Sequence, residues 1–172
     1  MKASVVKPIE SAGSPRQPAP EKATVLVSSH NEVNLKIAKV TACCAEAGHD
    51  PIYTISNKRA MFWHAAEEGH GNNHSITLVL QMKSTITRIG VLGGRDDSRL
   101  WPLNNRVKTM TAHFDDGEKR MLSFADNRHI QYITIHPIVS RTIKLEITGL
   151  YPGSRWHHTI ISQARVLGMP IE

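Results

Sequence analysis

Apolar and polar residues alternate along much of this chain. Ile143, Leu145 and Ile147 are separated by Lys144 and Glu146, with Thr142 and Thr148 at the flanks. Ile76, Leu78 and Leu80 alternate with Thr77, Val79 and Gln81, and Ile133 and Ile135 flank Thr134. Met110, Ala112 and Phe114 alternate with Thr109, Thr111 and His113. Successive side chains leave opposite faces of an extended strand, so this period of two predicts half-buried antiparallel strands. Shorter candidates lie at 24–29, 34–42, 86–92, 119–124 and 160–167. Turn-forming residues separate them at Gly93-Gly94, Asp115-Asp116-Gly117, Asp126-Asn127 and Pro152-Gly153. About eight or nine short strands at this spacing predict an all-β sandwich or barrel. Val33–Gly48 is mixed: Val33, Ile37, Val40, Ala42 and Cys44 leave a short helix or irregular turn open there.

Composition narrows the setting. The segment Ser11–Pro20 holds three of the nine Pro, one Gly and two Ser, so residues 1–22 read as a disordered arm or linker before a domain over 23–172. A domain of this size needs no disulfide or metal staple to hold a core. The only two cysteines, Cys43 and Cys44, are adjacent, which excludes a disulfide scaffold and reads as two reduced thiols. No run approaches the roughly 20 apolar residues of a membrane-spanning helix. The N-terminus lacks a secretory signal, so the sequence leaves the compartment unknown: cytoplasmic by default, or exported as part of a larger system. The net charge of +6 favours anionic surfaces. The basic residues are scattered, and no nucleic-acid-binding motif accompanies them, so nucleic acid is not an expected partner.

The most distinctive stretch is Gly93–Lys108, a long polar loop between two strands, and such loops carry function or mobility. It gathers an indole (Trp101), guanidinium groups (Arg95, Arg99, Arg106), carboxylates (Asp96, Asp97) and carboxamides (Asn104, Asn105). An indole covers the apolar face of a pyranose, and the polar groups bond its hydroxyls directionally. A second reading has Trp101 plug one end of the sandwich while Asn105 and Arg106 tie the loop to the backbone.

Four blocks together resemble the discoidin-like, galactose-binding-like superfamily, most closely the glycan-binding module named after bacterial NAD glycohydrolases. They are Trp63 with Gly69, Gly71 and Ser75–Leu80; Ile86–Gly94 with Ser98, Trp101 and Asn104–Lys108; Phe114–Gly117 with Leu122, Asp126 and Gln131; and Ile143–Ile147 with Tyr151–Ser154 and Thr159–Ser162. The sequence departs from the pattern at Gln163, where the family has an acidic residue, and at Gly93-Gly94-Arg95. The resemblance implies a jelly-roll β-sandwich of about eight main antiparallel strands that binds glycans through loops at one end. It points to the Trp63–Asn73, Arg95–Arg106 and Tyr151–His158 loops. The contact residues it implies are Arg95, Asp96, Trp101, Asn104, Arg106 and Trp156, with Lys108 a weaker candidate. Asp126 and Gln131 read as loop-fixing residues.

The histidines His64, His70 and His74, with Glu67 and Glu68, match no closed zinc spacing, and no metal site is expected. His157-His158 beside Trp156 offer imidazoles to a sugar or an acidic partner. Asp96, Asp97, Asp115, Asp116 and Asp126 leave a structural Ca2+ open; otherwise no cofactor is expected. The sequence lacks a nucleophile elbow, a phosphate-cradling loop and a His-Glu-x-x-His motif, which argues against an enzyme. The expected function is therefore a non-catalytic carbohydrate-binding module whose partner is a glycan or glycoconjugate. The alternative is a protein–protein interaction domain docking an acidic partner in a larger assembly.

Overall fold

The computed structural model describes residues 31–65 and 74–171. The arm at 1–22, the strand candidate at 24–29, and Glu67, Glu68 and His70 lie outside the described residues. The strands are β1 (Val33–Asn34), β2 (Ile37–Ala42), β3 (Trp63–His64), β4 (Ser75–Gly93), β5 (Arg106–Phe114), β6 (Lys119–Ser123), β7 (Gln131–Tyr151) and β8 (Ile160–Pro170). Every pairing between them is antiparallel. Short 3-10 turns occupy Pro51–Ile55 and Trp101–Leu103.

Two long strands generate the layers. The first part of β4, Ser75–Leu80, lies between β2 and the second half of β7. After the exposed corner Gln81-Met82-Lys83, β4 continues between β8 and the first half of β7. The hydrogen bonding is thus one continuous eight-stranded sheet, folded over into two layers. One layer reads β2–β4–β7–β5–β6; the other reads β7–β4–β8, with β1 and β3 paired to β8. Pro137, which cannot donate to a ladder, lies where the β4–β7 register shifts between Arg88↔Thr134 and Ile86↔Ile138.

The alternating positions of the sequence form the core. Ile76, Leu78, Leu80, Met110, Ala112, Ile143, Leu145 and Ile147 are all at most 1% exposed and belong to one cluster. Each large side chain buried there contributes about 1.5–3 kcal/mol of transfer free energy. The segment 33–48 contains β1 and β2 rather than a helix. Because β2 pairs only with β4 as an edge strand, Val40 alone of its residues is buried, which blurs the period of two.

The two ends of the sandwich differ. At the corner end, the Asp115 carboxylate accepts the backbone N–H groups of Arg141 (2.6 Å) and Thr142 (3.1 Å), and its own N–H donates to Ser140 Oγ (3.1 Å). Burial pushes the Asp115 pKa up, but these N–H donors more than offset it and hold the carboxyl below its ordinary value. The other end collects the last residue of β4, the first residues of β5 and β8, and the loops around 43–62, 94–105, 124–130 and 152–159. The sequence-identified loop lies here.

Candidate functional site

Arg106, the first residue of β5, joins three of these loops. Its Nε and Nη2 donate to the two Asp126 carboxylate oxygens (2.8 and 2.9 Å), and Nη1 donates to the carbonyls of Asn104 (3.0 Å), Pro152 (3.2 Å) and Pro102 (3.3 Å). The guanidinium also lies 4.6 Å from the centre of the Trp101 ring. Trp101 seats its indole on Gly94 and donates from Nε1 to the Gly93 carbonyl (3.2 Å). Gly94 has φ +91°, and an added Cβ would lie 2.9 Å from the Trp101 ring, so both backbone and space demand glycine. Asn105 bridges to the neighbouring loop: its Nδ2 donates to the His157 carbonyl (2.7 Å), and its Oδ1 accepts the Gly153 N–H (2.9 Å). Gln131 holds the 124–130 loop by exchanging both hydrogen bonds of its carboxamide with the Ala125 backbone, each 2.8 Å.

This arrangement corrects two of the exposed contacts expected from sequence. Arg106 is 8% exposed and Asn104 4% exposed, because their polar groups are committed inside the loop assembly. Asn104 Nδ2 donates to the Leu100 carbonyl at 3.2 Å. Trp101 is half-buried, with Gly94 and the Arg106 guanidinium packed against its ring. Asn105 and Arg106 perform the tying role that sequence offered as a second reading, and the Trp101 indole packs on the same clamp.

Beside this clamp lies a cleft of about 250 Å3 walled by Phe62, Trp156, Arg95, Asn104, Ile160, Glu46, His49, His64 and His158. Its floor is set by β3. Trp63 is fully buried and donates from Nε1 to the Cys44 carbonyl (2.8 Å), so the alternation of a strand turns its neighbours Phe62 and His64 to the other side. The Arg95 guanidinium lies 4.9 Å from the Phe62 ring centre, His49 stacks on Phe62 at 4.5 Å, and Arg155 lies 5.0 Å from the ring of Trp156. The turn carrying Glu46 and His49 is tied down by Glu46 N–H to the His64 carbonyl (2.9 Å) and His49 N–H to the Glu46 carbonyl (3.0 Å). His64 Nδ1 pairs with the Glu46 carboxylate, and the His158 ring meets His64 edge-on at 4.4 Å. Burial holds the His64 pKa below its ordinary value; Glu46 opposes this, while His158 and His49 reinforce it.

Of the six contact residues expected from sequence, Arg95, Asn104 and Trp156 line this cleft. Asp96 faces an adjoining hollow lined by Arg59, Arg95 and Arg128, pairing with Arg59 (3.6 Å) and Arg128 (3.4 Å). Lys108 is exposed, 5.6 Å from the ring of Tyr151. The five aspartates considered for Ca2+ each accept from a protein donor: Asp97 from Arg99 and Leu100 N–H, Asp116 from Glu118 N–H, and the others as described. Sequence reasoning did not join Glu46, His49 and Phe62 to the site. They sit outside the strand periodicity, and only the fold sets them beside His64.

The architecture has relatives among solved structures. A family 32 carbohydrate-binding module from C. perfringens NanJ, seen with galactose, superposes with a TM-score of 0.62 at 17% identity, covering 79% of this chain and 98% of that one. The family 32 module of AlyQ, seen with 4,5-unsaturated mannuronic acid, gives 0.58 at 16% identity over 78% and 97%. Chitosan-binding module 1 of a Paenibacillus sp. IK-5 chitosanase/glucanase gives 0.59 at 15% identity over 78% and 98%. These likenesses establish the jelly-roll sandwich expected from sequence. No curated protein sequence matches the chain. The family described as the NAD glycohydrolase translocation F5/8 type C domain matches residues 29–167, and the chain belongs to that family.

Proposed function

We propose that this chain is a non-catalytic glycan-binding module and that the Trp156–Phe62–Arg95 cleft is where the glycan binds. The observation that carries this reading is the composition of that cleft. It sets the half-buried Trp156 indole beside a guanidinium, a carboxylate and imidazoles, on loops fixed by the Arg106 clamp. The indole covers the C–H face of a sugar ring, while Arg95, Glu46 and His49 bond its hydroxyls. Drug-sized ligand sites run from about 300 to 1,000 Å3, so this smaller cleft suits the end of a glycan rather than a long chain. Glycoside hydrolysis uses a pair of carboxyl groups across the scissile bond, and among the described residues Glu46 is the carboxylate of the cleft. The solved relatives seen with sugars support the same reading. A single site of this kind binds weakly, and repetition or fusion to a partner supplies avidity.

The adjoining arginines and the charge of +6 favour a second reading, docking of an acidic protein. A glycan array followed by calorimetry separates the two. The first reading expects saturable binding of one sugar class, little changed between low and high salt, and lost in Trp156→Ala. Binding that collapses with salt, resists sugar competition and survives Trp156→Ala overturns it in favour of the second.

A further inference from the structure

We propose that Glu46, His49 and His64 form a binding site for one divalent metal ion of the zinc class. One ligand atom from each side chain lies within 4.8 Å of the other two. Zinc bonds imidazole nitrogen and carboxylate oxygen at about 2.0–2.2 Å, so ligand atoms round one tetrahedral ion stand roughly 3.5 Å apart. Small side-chain rotations close the difference.

The cluster is built rather than fortuitous. Backbone hydrogen bonds tie Glu46 to His64 and His49 to Glu46, and the His49 ring is stacked on buried Phe62. The His64 side chain is 12% exposed and its Nδ1 already faces the Glu46 carboxylate, so an ion shared with Glu46 is bonded through Nδ1. Two imidazoles and one carboxylate suit zinc and its first-row neighbours; hard Ca2+ and Mg2+ prefer all-oxygen shells. His158 packs edge-on against His64 and closes one side of the cluster. Three protein ligands leave a further coordination position, as open zinc sites do, and these residues line the same cleft as Trp156 and Arg95. A water or a ligand hydroxyl would occupy that position.

The ion would share Glu46 and His49 with the proposed glycan cleft, but the inference does not require a glycan, and its test contains no sugar. The full chain, stripped with EDTA and dialysed into a non-chelating buffer, is titrated with ZnCl2 in a calorimeter. The expected result is one saturable ion per chain, no comparable heat with CaCl2, and affinity weakened at least about 10-fold in both Glu46→Gln and His49→Ala. Glu46 is exposed, so its variant keeps the test sound should His49→Ala perturb the fold, and circular dichroism checks both. His113→Ala removes a histidine paired with Glu146 at 2.8 Å elsewhere on the sandwich and leaves the affinity unchanged. Absence of saturable binding overturns the proposal. So does zinc affinity unchanged in both variants, which would assign the ion to other histidines.

Discussion

Replacing Arg106 by Met separates the clamp from any role in ligand contact. Methionine keeps an apolar stem against Trp101 but removes every donor. The two bonds to Asp126 are lost, and because that carboxylate side chain is 36% exposed, solvent screens them to about 1 kcal/mol. The carbonyls of Asn104, Pro102 and Pro152 share one nitrogen and together lose about 1–2 kcal/mol. The contact over Trp101 adds about 0.5–1 kcal/mol. A destabilisation of about 3 kcal/mol follows, and in a domain of this size each kcal/mol moves Tm by about 2–4 °C. Urea titration and scanning calorimetry therefore expect a Tm lower by roughly 6–12 °C. Arg106→Lys recovers less than half of the loss, since an ammonium cannot reproduce the two-pronged bond to Asp126. A stability change below about 1 kcal/mol would refute the reasoning. So would lost ligand binding at unchanged stability, which would make Arg106 a contact residue.

Other perturbations read neighbouring parts of the structure. Arg165 donates to the carbonyls of Thr54 (3.0 Å), Ala164 (2.8 Å) and Ser56 (3.2 Å) and to Asn57 Oδ1 (2.7 Å), so Arg165→Met should lose about 2–3 kcal/mol. It should also speed tryptic cleavage at the exposed Lys58 and Arg59; unchanged digestion would show that Arg165 does not hold this segment. A Cβ at Gly153 would come within 2.5 Å of Leu103 O, Asn104 C and Trp156 O, all backbone. Gly153→Ala should therefore cost about 1–3 kcal/mol and shift the Trp156 fluorescence, and an unshifted spectrum would count against loop-to-loop contact there. Asp115 has its folded pKa depressed, so its stabilisation is full above the ordinary aspartate value of 3.8 and is lost as pH falls through the lower folded value. The urea midpoint of the parent should fall faster with acidification over that window than that of Asp115→Asn; parallel curves would contradict the assignment.

The core was legible because its residues obey one local rule. Ile143, Leu145 and Ile147, or Ile76, Leu78 and Leu80, carry their burial in a period of two that needs no knowledge of partners. The corners were not legible. The sequence reads 76–81 and 86–92 as separate strands, but Gln81-Met82-Lys83 contains neither Gly nor Pro, and the chain bends there and resumes pairing with both β7 and β8 at Ser84. The same holds for β7, where Ser140 and Asp115 carry the chain round a corner that the sequence marks only as a polar interruption.

The site divides along similar lines, and the division has a physical cause. The polar loop at 93–108 was found because its residue types crowd into one stretch, yet crowding does not distinguish a group that grips a ligand from one that grips the backbone. Arg106 illustrates the point: the planar fork that suits a sugar hydroxyl or a carboxylate ligand also suits Asp126 and three inward-facing carbonyls. Loops that present rigid contacts must themselves be held, so some of the richest polar side chains in such a stretch are consumed in holding them. Arg95 and Trp156 remain at the cleft, and the groups that join them there, Glu46, His49 and His64, come from chain segments remote from both. Trp63 supplies the connection. Its buried indole bonds the Cys44 carbonyl, which draws the 43–49 turn over β3, while β3 pairs with the start of β8 directly after the Trp156 loop. Replacing Trp63 by Phe keeps most of the apolar volume but deletes that one bond. The 43–49 turn should then loosen, and amide exchange should rise at Glu46 and His49 while the core strands β4 and β7 stay protected. Equal exchange in the two proteins would mean that packing alone positions the turn, and that the assembly of the cleft does not depend on the indole.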